Sequence, residues 1–242
     1  MITHLLTPLR KQRLHEGLIA QLKALIASAR VEAGQKLAAE RELAEQLGVS
    51  RVVVREALRS LEQAGFVEIR AGRQGGAFVA HRPYKPLSDA ALDLYAQGRL
   101  TLQHFYEARR GIEGASVRLA AVRATARDVA ALQAINRRLL DDLGDRSKLR
   151  HHNAAFHVAI AGISGNPLIM LLVQSLLDLL DQVVPVSMQS PAFMHATHDR
   201  HHAIIEALRR RDGRLAERLM AADTEFTATL RPGGRRRERR RL

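Results

Sequence analysis

The sequence predicts a mostly α-helical protein with two domains, an N-terminal winged helix-turn-helix and a C-terminal antiparallel all-helical bundle. Two short amphipathic helices separated by Gly48 precede a glycine-rich hairpin, and a proline-containing segment follows. Beyond that segment the apolar spacing is helical, without competing strand alternation. We therefore expect a DNA-binding domain at 1–81, a linker at 82–88, a bundle at 89–230 and a disordered, Arg-rich tail at 231–242.

The turn between the two short helices is predicted from single residues. Leu43, Ala44 and Leu47 share one face of the first helix. Gly48 can adopt the positive φ that ends a helix, and Ser50 can cap the helix that follows. The result is a tight helix-turn-helix.

The second short helix has an apolar face and an arginine-bearing face. The apolar positions at helical spacing are Val54, Ala57, Leu58 and Leu61. The positions on or beside the opposite face are Arg51, Val52, Arg55 and Arg59. An exposed guanidinium near a helix N-terminus suits the DNA major groove, where it can bind guanine O6 and N7 or a phosphate. The pattern therefore indicates a recognition helix.

A hairpin follows this helix. Residues 66–70 alternate as a strand, residues 71–76 form a glycine-rich, basic turn, and residues 77–79 return as a second strand. The tip of such a hairpin can approach a DNA backbone or minor groove closely.

The segments ERELAEQLGVSR and VREALRSLEQAGFVE, with the glycine-rich hairpin, resemble the winged helix-turn-helix of GntR-family bacterial transcription regulators. The resemblance implies binding to a double-stranded DNA operator through Arg41, Ser50, Arg51, Val52 and Arg55, with Gly72 and Arg73 at the wing tip. The chain departs from the family at Ala38, where proline is usual, and at Val52, where threonine is common. Valine lacks the hydroxyl that bonds phosphate or base, but its methyl groups can contact a thymine methyl.

Composition restricts the kinds of site and the location. The 242-residue chain has no cysteine, which excludes disulfides and thiolate metal ligands and suits a reducing cytoplasm. It has no signal-peptide pattern and no apolar run of about 18 residues, the length of a membrane span. We therefore expect a cytoplasmic protein that has no contact with a membrane.

The net charge of +13 is unevenly distributed. Residues 1–81 carry 12 basic and 8 acidic side chains, whereas residues 231–242 carry 7 and 1. The prediction of DNA binding therefore depends on the motif rather than on the total charge. The tail either adds sequence-independent attraction to phosphate or is a solvated extension.

The second domain is predicted to contain seven helices, at about 89–97, 101–123, 126–143, 147–163, 166–185, 192–211 and 213–230. Thr125 and Asn166 are suitable caps, Pro167 fits a first helical turn, and Asp212-Gly213 separates the last two helices. An antiparallel bundle would bury their apolar stripes.

The segments FYEARRGIEGASVRLAA, NAAFHVAIAGISGNPLI and HHAIIEALRRRDGRLAERLMAAD resemble the FCD ligand-sensing domain of the FadR branch of the GntR family. Many FCD domains bind a divalent metal through an Asp, a His four residues later, and two further His residues. The corresponding positions here are Asn153, His157, His201 and Asp223. Asn153 replaces the usual aspartate, and Asp223 replaces a usual histidine.

Two imidazoles and one carboxylate can bind zinc, nickel, manganese or iron, and Asn153 adds a weaker, neutral oxygen. The alternative is a metal-free polar pocket, and His198 and His202 are candidate substitute ligands. The resemblance also places Arg109 in the same cavity, where it would bind the carboxylate of a small effector. The alternative role for Arg109 is an ion pair with Glu113 at i+4.

We therefore expect a homodimeric transcription regulator, a repressor rather than an enzyme, that binds a pseudo-palindromic operator and responds to a small carboxylate metabolite. A dimer is expected because one recognition helix reads too few base pairs for useful specificity. One alternative is a metal-dependent enzyme, although no further Glu or Asp is placed by motif beside His157 or His201. The other alternative is a non-specific architectural DNA-binding protein.

Overall fold

The computed structural model describes residues 12–27, 30–72, 74–143, 145–184 and 190–229. The chain separates into two compact units, Met1–Pro86 and Leu87–Leu242. The Arg-rich segment at 231–242 and Arg73 lie outside the described residues. None of the helices in the described ranges is long and apolar enough to cross a membrane.

The first unit is a winged helix-turn-helix, as the sequence predicts. Its elements are α1 (Gln12–Ala27), α2 (Glu40–Leu47), α3 (Arg51–Gln63), β1 (Val67–Arg70) and β2 (Gly76–Val79). The two strands are antiparallel, with Val67 opposite Val79 and Arg70 opposite Gly76. Lys36 extends the hairpin by an isolated bridge to Phe78.

The turn between α2 and α3 forms as its residues predict. Gly48 has a φ of 64°, the left-handed conformation that glycine adopts without steric cost. The Ser50 hydroxyl accepts a hydrogen bond from the Val53 amide at 3.4 Å and caps α3. The predicted apolar face of α3 is buried: Val54, Ala57, Leu58 and Leu61 are at most 3% exposed.

Helix α1 was not predicted. Its residues Leu18 and Leu22 are buried in one cluster with Val54 and Leu61 of α3. They stand four residues apart, so they share a helical face. The segment that resembles the GntR family begins at Glu40, so the helix that completes this core lies before it.

The second unit is all helical within the described residues. Its helices are α4 (Lys85–Ala96), α5 (Leu102–Arg123), α6 (Ala126–Asp141), α7 (Arg146–Ile163), α8 (Pro167–Val183), α9 (Pro191–Arg209) and α10 (Gly213–Thr227). Helix α5 contacts α7, α8, α9 and α10. The four helices α5, α7, α9 and α10 contribute buried residues to the largest apolar cluster and, as described below, to the buried polar site.

The predicted helices of the second unit are all present, and the largest difference is at the first of them. Helix α4 begins at Lys85 rather than at 89, so residues 85–88 of the expected linker are helical. Pro86 is compatible with this start because the amide of a first-turn residue needs no intrahelical acceptor. The predicted caps at Thr125 and Asn166 accept backbone hydrogen bonds, and Asp212, predicted only to separate two helices, also caps α10.

Candidate functional sites: an exposed arginine surface and a buried histidine cluster

The predicted recognition helix α3 presents Arg51, Val52 and Arg55 to solvent. Val52 is 61% exposed. Within the described part of the chain, Arg51 has no ion-pair partner. These side chains are therefore accessible to a nucleic acid.

Arg55 is held in place by Glu40 at the start of α2. Its Nε and Nη2 donate to the Glu40 carboxylate at 3.1 and 2.8 Å. The hydrogen bond from Arg55 is the main cause that holds the pKa of Glu40 below its ordinary value. The carboxylate is thus ionised at neutral pH, and it restricts the rotamers of an arginine on the exposed face.

The remaining predicted DNA contacts surround this helix in sequence. Arg41 is exposed and lies 3.8 Å from Glu45. Ser50 is exposed, but its hydroxyl already caps α3. Gly72 has a φ of 98° in the wing turn, and a Cβ at Gly75 would lie 2.3 Å from a backbone oxygen of Arg70. The backbone geometry of the wing turn therefore requires glycine at both positions, whether or not the turn contacts DNA.

The buried site brings three predicted metal ligands together. His157 of α7, His201 of α9 and Asp223 of α10 are each at most 2% exposed, and their ligand atoms lie within 4.8 Å of one another. His157 Nε2 is 3.5 Å from Asp223 Oδ2, and His201 Nε2 is 4.0 Å from Asp223 Oδ1. Neither His198 nor His202 belongs to this group.

His201 is a buried imidazole whose two nitrogens have no hydrogen-bond partner in the described part of the chain. Burial, with the nearby charges of His157 and Arg109, lowers the pKa of His201 well below its ordinary value. Its ring stacks on Phe156 with centroids 3.7 Å apart. Neither Nδ1 nor Nε2 has a hydrogen-bond partner among the described residues. Such an arrangement is costly unless a ligand or metal satisfies a nitrogen.

Arg109 of α5 is fully buried and belongs to the same cluster. Its Nε donates to Glu113 Oε1 at 2.7 Å, and its Nη2 lies 3.1 Å from His157 Nε2. The ion pair with Glu113 that stood as the alternative role is therefore formed. It does not remove Arg109 from the site, because Nη1 has no hydrogen-bond partner among the described residues.

No motif placed a further acid beside His157, but the structure does. Glu113 Oε2 is 2.9 Å from His157 Nδ1. Burial acts to raise the pKa of Glu113, but Arg109 and His157 outweigh it and lower that pKa to about 2. A carboxylate with so low a pKa is a weak general base at neutral pH. The i+4 spacing from Arg109 was the available signal, and it located the ion pair but not the histidine contact.

Burial is the largest influence on the pKa of Asp223 and raises it, whereas the nearby His157 and Arg109 act to lower it. Asn153 is also buried, one helical turn before His157 on α7. Its place among the ligands stays a prediction. A positive ion near Asp223 would stabilise its ionised form.

The donor set fits a divalent transition metal. Ligand atoms around a tetrahedral ion with bonds of about 2.0 Å lie about 3.3 Å apart. The two separations of 3.5 and 4.0 Å to Asp223 are slightly longer. Small side-chain movements would bring these atoms to the spacing that a metal ion requires. One of the unpartnered His201 nitrogens would then bind the ion. His157, His201 and Asp223 would then hold the ion.

Comparisons with known proteins match both units of the chain. Residues 14–79 match the family described as bacterial regulatory proteins, gntR family, and residues 104–225 match the FCD domain. The HTH-type transcriptional repressor NanR of Enterobacter sp. (strain 638) is 32% identical over 218 residues, covering 88% of this chain and 83% of that protein. The putative L-lactate dehydrogenase operon regulatory protein of Escherichia coli (strain K12) is 33% identical over 227 residues, covering 90% and 86%.

A solved structure has the same fold. The Streptococcus agalactiae GntR structure aligns with a TM-score of 0.67 and 26% identity, covering 89% of this chain and 99% of that one. The sequence match extends over both domains rather than over the helix-turn-helix alone. The chain therefore belongs to the GntR family, with a C-terminal FCD domain, and is a ligand-controlled DNA-binding transcription regulator.

Proposed function

We propose that this protein is a homodimeric, cytoplasmic repressor that binds a pseudo-palindromic operator and responds to a small carboxylate metabolite held beside a divalent metal ion. The observation that carries the proposal is the buried cluster itself. It contains a cation with a free donor, Arg109 Nη1, next to imidazole and carboxylate groups of the metal-ligand type. A carboxylate that binds a guanidinium and a metal ion would satisfy both.

The effector class follows from the chemistry of the site. Arginine recognises planar carboxylates through paired N–H donors. His157, His201 and Asp223 supply three metal ligands, which leaves coordination positions for an oxygen of the effector. One relative is named for an L-lactate dehydrogenase operon, and L-lactate is a small hydroxy acid. Small hydroxy and keto acids are therefore the first effectors to test.

For DNA binding, we propose that Arg51, Val52 and Arg55 read bases in the major groove, with Arg41 and Ser50 on the backbone and Gly72 and Arg73 at the wing tip. The exposure of Arg51 and Val52 supports this assignment. Two copies are needed because a single recognition helix covers only one half-site. The regulator is not an enzyme on this proposal, since Glu113 beside His157 is ion-paired to Arg109 and Asp223 would be a metal ligand.

The test measures binding to the DNA upstream of neighbouring genes by fluorescence anisotropy, against random DNA of equal length. It is repeated with zinc, nickel or manganese and with a panel of hydroxy and keto acids. We expect preference for one upstream sequence, and a change in its affinity by an acid in wild type but not in Arg109→Lys. Equal affinity for all DNA would indicate an architectural protein, and turnover of an acid would indicate an enzyme.

A further inference from the structure

Glu113 contacts two members of the buried cluster at once. Its Oε1 accepts from Arg109 Nε at 2.7 Å, and its Oε2 lies 2.9 Å from His157 Nδ1. The second contact is oblique for a strict hydrogen bond. In a buried environment a carboxylate at that distance still strongly favours a proton on the nitrogen that faces it.

The neighbours of His157 specify which nitrogen carries its proton. Arg109 Nη2 lies 3.1 Å from His157 Nε2, and a guanidinium can only donate. Nε2 must therefore offer its lone pair, so the ring carries a single proton, on Nδ1, which lies 2.9 Å from Glu113 Oε2. Two independent contacts thus favour the same tautomer. It is also the tautomer whose Nε2 lone pair, 3.5 Å from Asp223, is available to a metal ion.

We propose that Glu113 is a positioning residue: it fixes the Nδ1–H tautomer of His157, which directs the Nε2 lone pair toward His201 and Asp223, and it anchors Arg109 beside them. The inference rests on the proposed metal- and carboxylate-binding function of this cluster. A carboxylate bonded to the far nitrogen of a metal-ligating histidine orients the ring and makes it a stronger donor. Glu113 would therefore increase metal affinity without touching the ion.

Glu113→Gln is the informative variant because the two carboxylate oxygens have different partners. Arg109 cannot accept a hydrogen bond, so the amide oxygen must face Arg109 and the amide NH2 group must face His157. The Nδ1–H group would then face a donor instead of an acceptor, so the preference for the Nδ1–H tautomer would fall, although Arg109 still opposes a proton on Nε2. Glu217→Gln is the control, because Glu217 of α10 lies 3.6 Å from Arg118 of α5 in an exposed ion pair outside the buried cluster.

The first measurement is the His157 tautomer in metal-free protein, from two-bond ¹⁵N–¹H correlations with labelled histidine. We expect Nδ1–H in wild type and in Glu217→Gln, and a larger share of the Nε2–H tautomer in Glu113→Gln. The second is zinc affinity by competition with a chelator, for which we expect a loss of about 10- to 100-fold in Glu113→Gln. Circular dichroism checks that each variant is folded.

Several results would overturn the inference. An Nε2–H tautomer in wild type contradicts it directly, and this measurement needs no variant if Glu113→Gln fails to fold. Unchanged zinc affinity together with an unchanged tautomer in folded Glu113→Gln also overturns it. If wild type binds no zinc, the metal part of the proposed function fails, and the tautomer in Glu113→Gln alone then decides whether Glu113 positions His157.

Discussion

The two units place charged functional groups in opposite environments. In the N-terminal unit, Arg51 and Arg55, which are candidate DNA contacts, lie exposed on the surface of a helix whose other face is part of an apolar core. In the C-terminal unit Arg109, His157 and Asp223 lie inside the bundle, at most 2% exposed. An exposed charge keeps its water and needs no protein partner, whereas a buried charge requires one. Stability and function are therefore separable in the first unit and coupled in the second.

The largest expected effect tests this difference through stability. Arg109→Ala would leave the Glu113 carboxylate buried without its cation and should lower the free energy of unfolding of the helical unit by about 3–5 kcal/mol. Arg51→Ala should change stability by less than about 0.5 kcal/mol. Urea unfolding followed by circular dichroism measures both.

The double variant Arg109→Met, Glu113→Leu is the control for this prediction. It removes both charges of the pair and fills the space with apolar side chains, so it should recover most of the lost stability. A loss below about 1 kcal/mol in Arg109→Ala would show that the pair is hydrated, and the contrast between the units would fail.

The second prediction concerns DNA affinity. Arg51→Ala and Arg55→Ala should each weaken operator binding by about 1–3 kcal/mol, or about tenfold and more, because each removes a bidentate contact to a base. Arg59→Ala, further along the same helix, should have little effect. Fluorescence anisotropy with operator DNA measures the three affinities. Equal, small losses for all three variants would mean that another face of α3 meets the DNA.

The third prediction concerns the departure from the family pattern at Asn153. Asn153→Asp should tighten zinc binding about tenfold, or about 1.4 kcal/mol, because an anionic oxygen is a stronger donor than an amide. His157→Ala should remove zinc binding. Calorimetric titration decides both. If Asn153→Asp leaves zinc affinity unchanged while His157→Ala abolishes binding, residue 153 is not a ligand.

The same contrast explains what the sequence predicted. The capped turn at Gly48 and Ser50 and the buried face of α3 follow from local spacing, and the structure has them. His157, His201 and Asp223 were selected because they align with the metal ligands of the family, and in the structure their ligand atoms lie within 4.8 Å of one another. Helix α1 and the contact of Glu113 with His157 were missed. The contact of Glu113 depends on packing between helices distant in sequence, which local periodicity does not encode, whereas α1 has helical spacing at Leu18 and Leu22 but precedes the recognised motif.

The smallest expected effect concerns Glu40, a negative charge on the exposed arginine surface. Its carboxylate binds Arg55 at 2.8 Å, and the hydrogen bond from Arg55 holds its pKa below the ordinary value, so it is ionised at neutral pH. Glu40→Gln should leave Arg55 less oriented and should remove one repulsive charge from the DNA-binding face. Affinity for random DNA should rise, and the preference for operator DNA should fall.

The expected loss of preference in Glu40→Gln is about threefold, since an exposed ion pair contributes about 0.2–1 kcal/mol. The matched control is Glu45→Gln, whose partner Arg41 is 3.8 Å away in a more exposed pair, and which should change the preference less. Competition anisotropy with operator and random DNA at one fixed salt concentration gives the ratio directly. A ratio unchanged in Glu40→Gln would mean that Arg55 is oriented by the DNA rather than by Glu40.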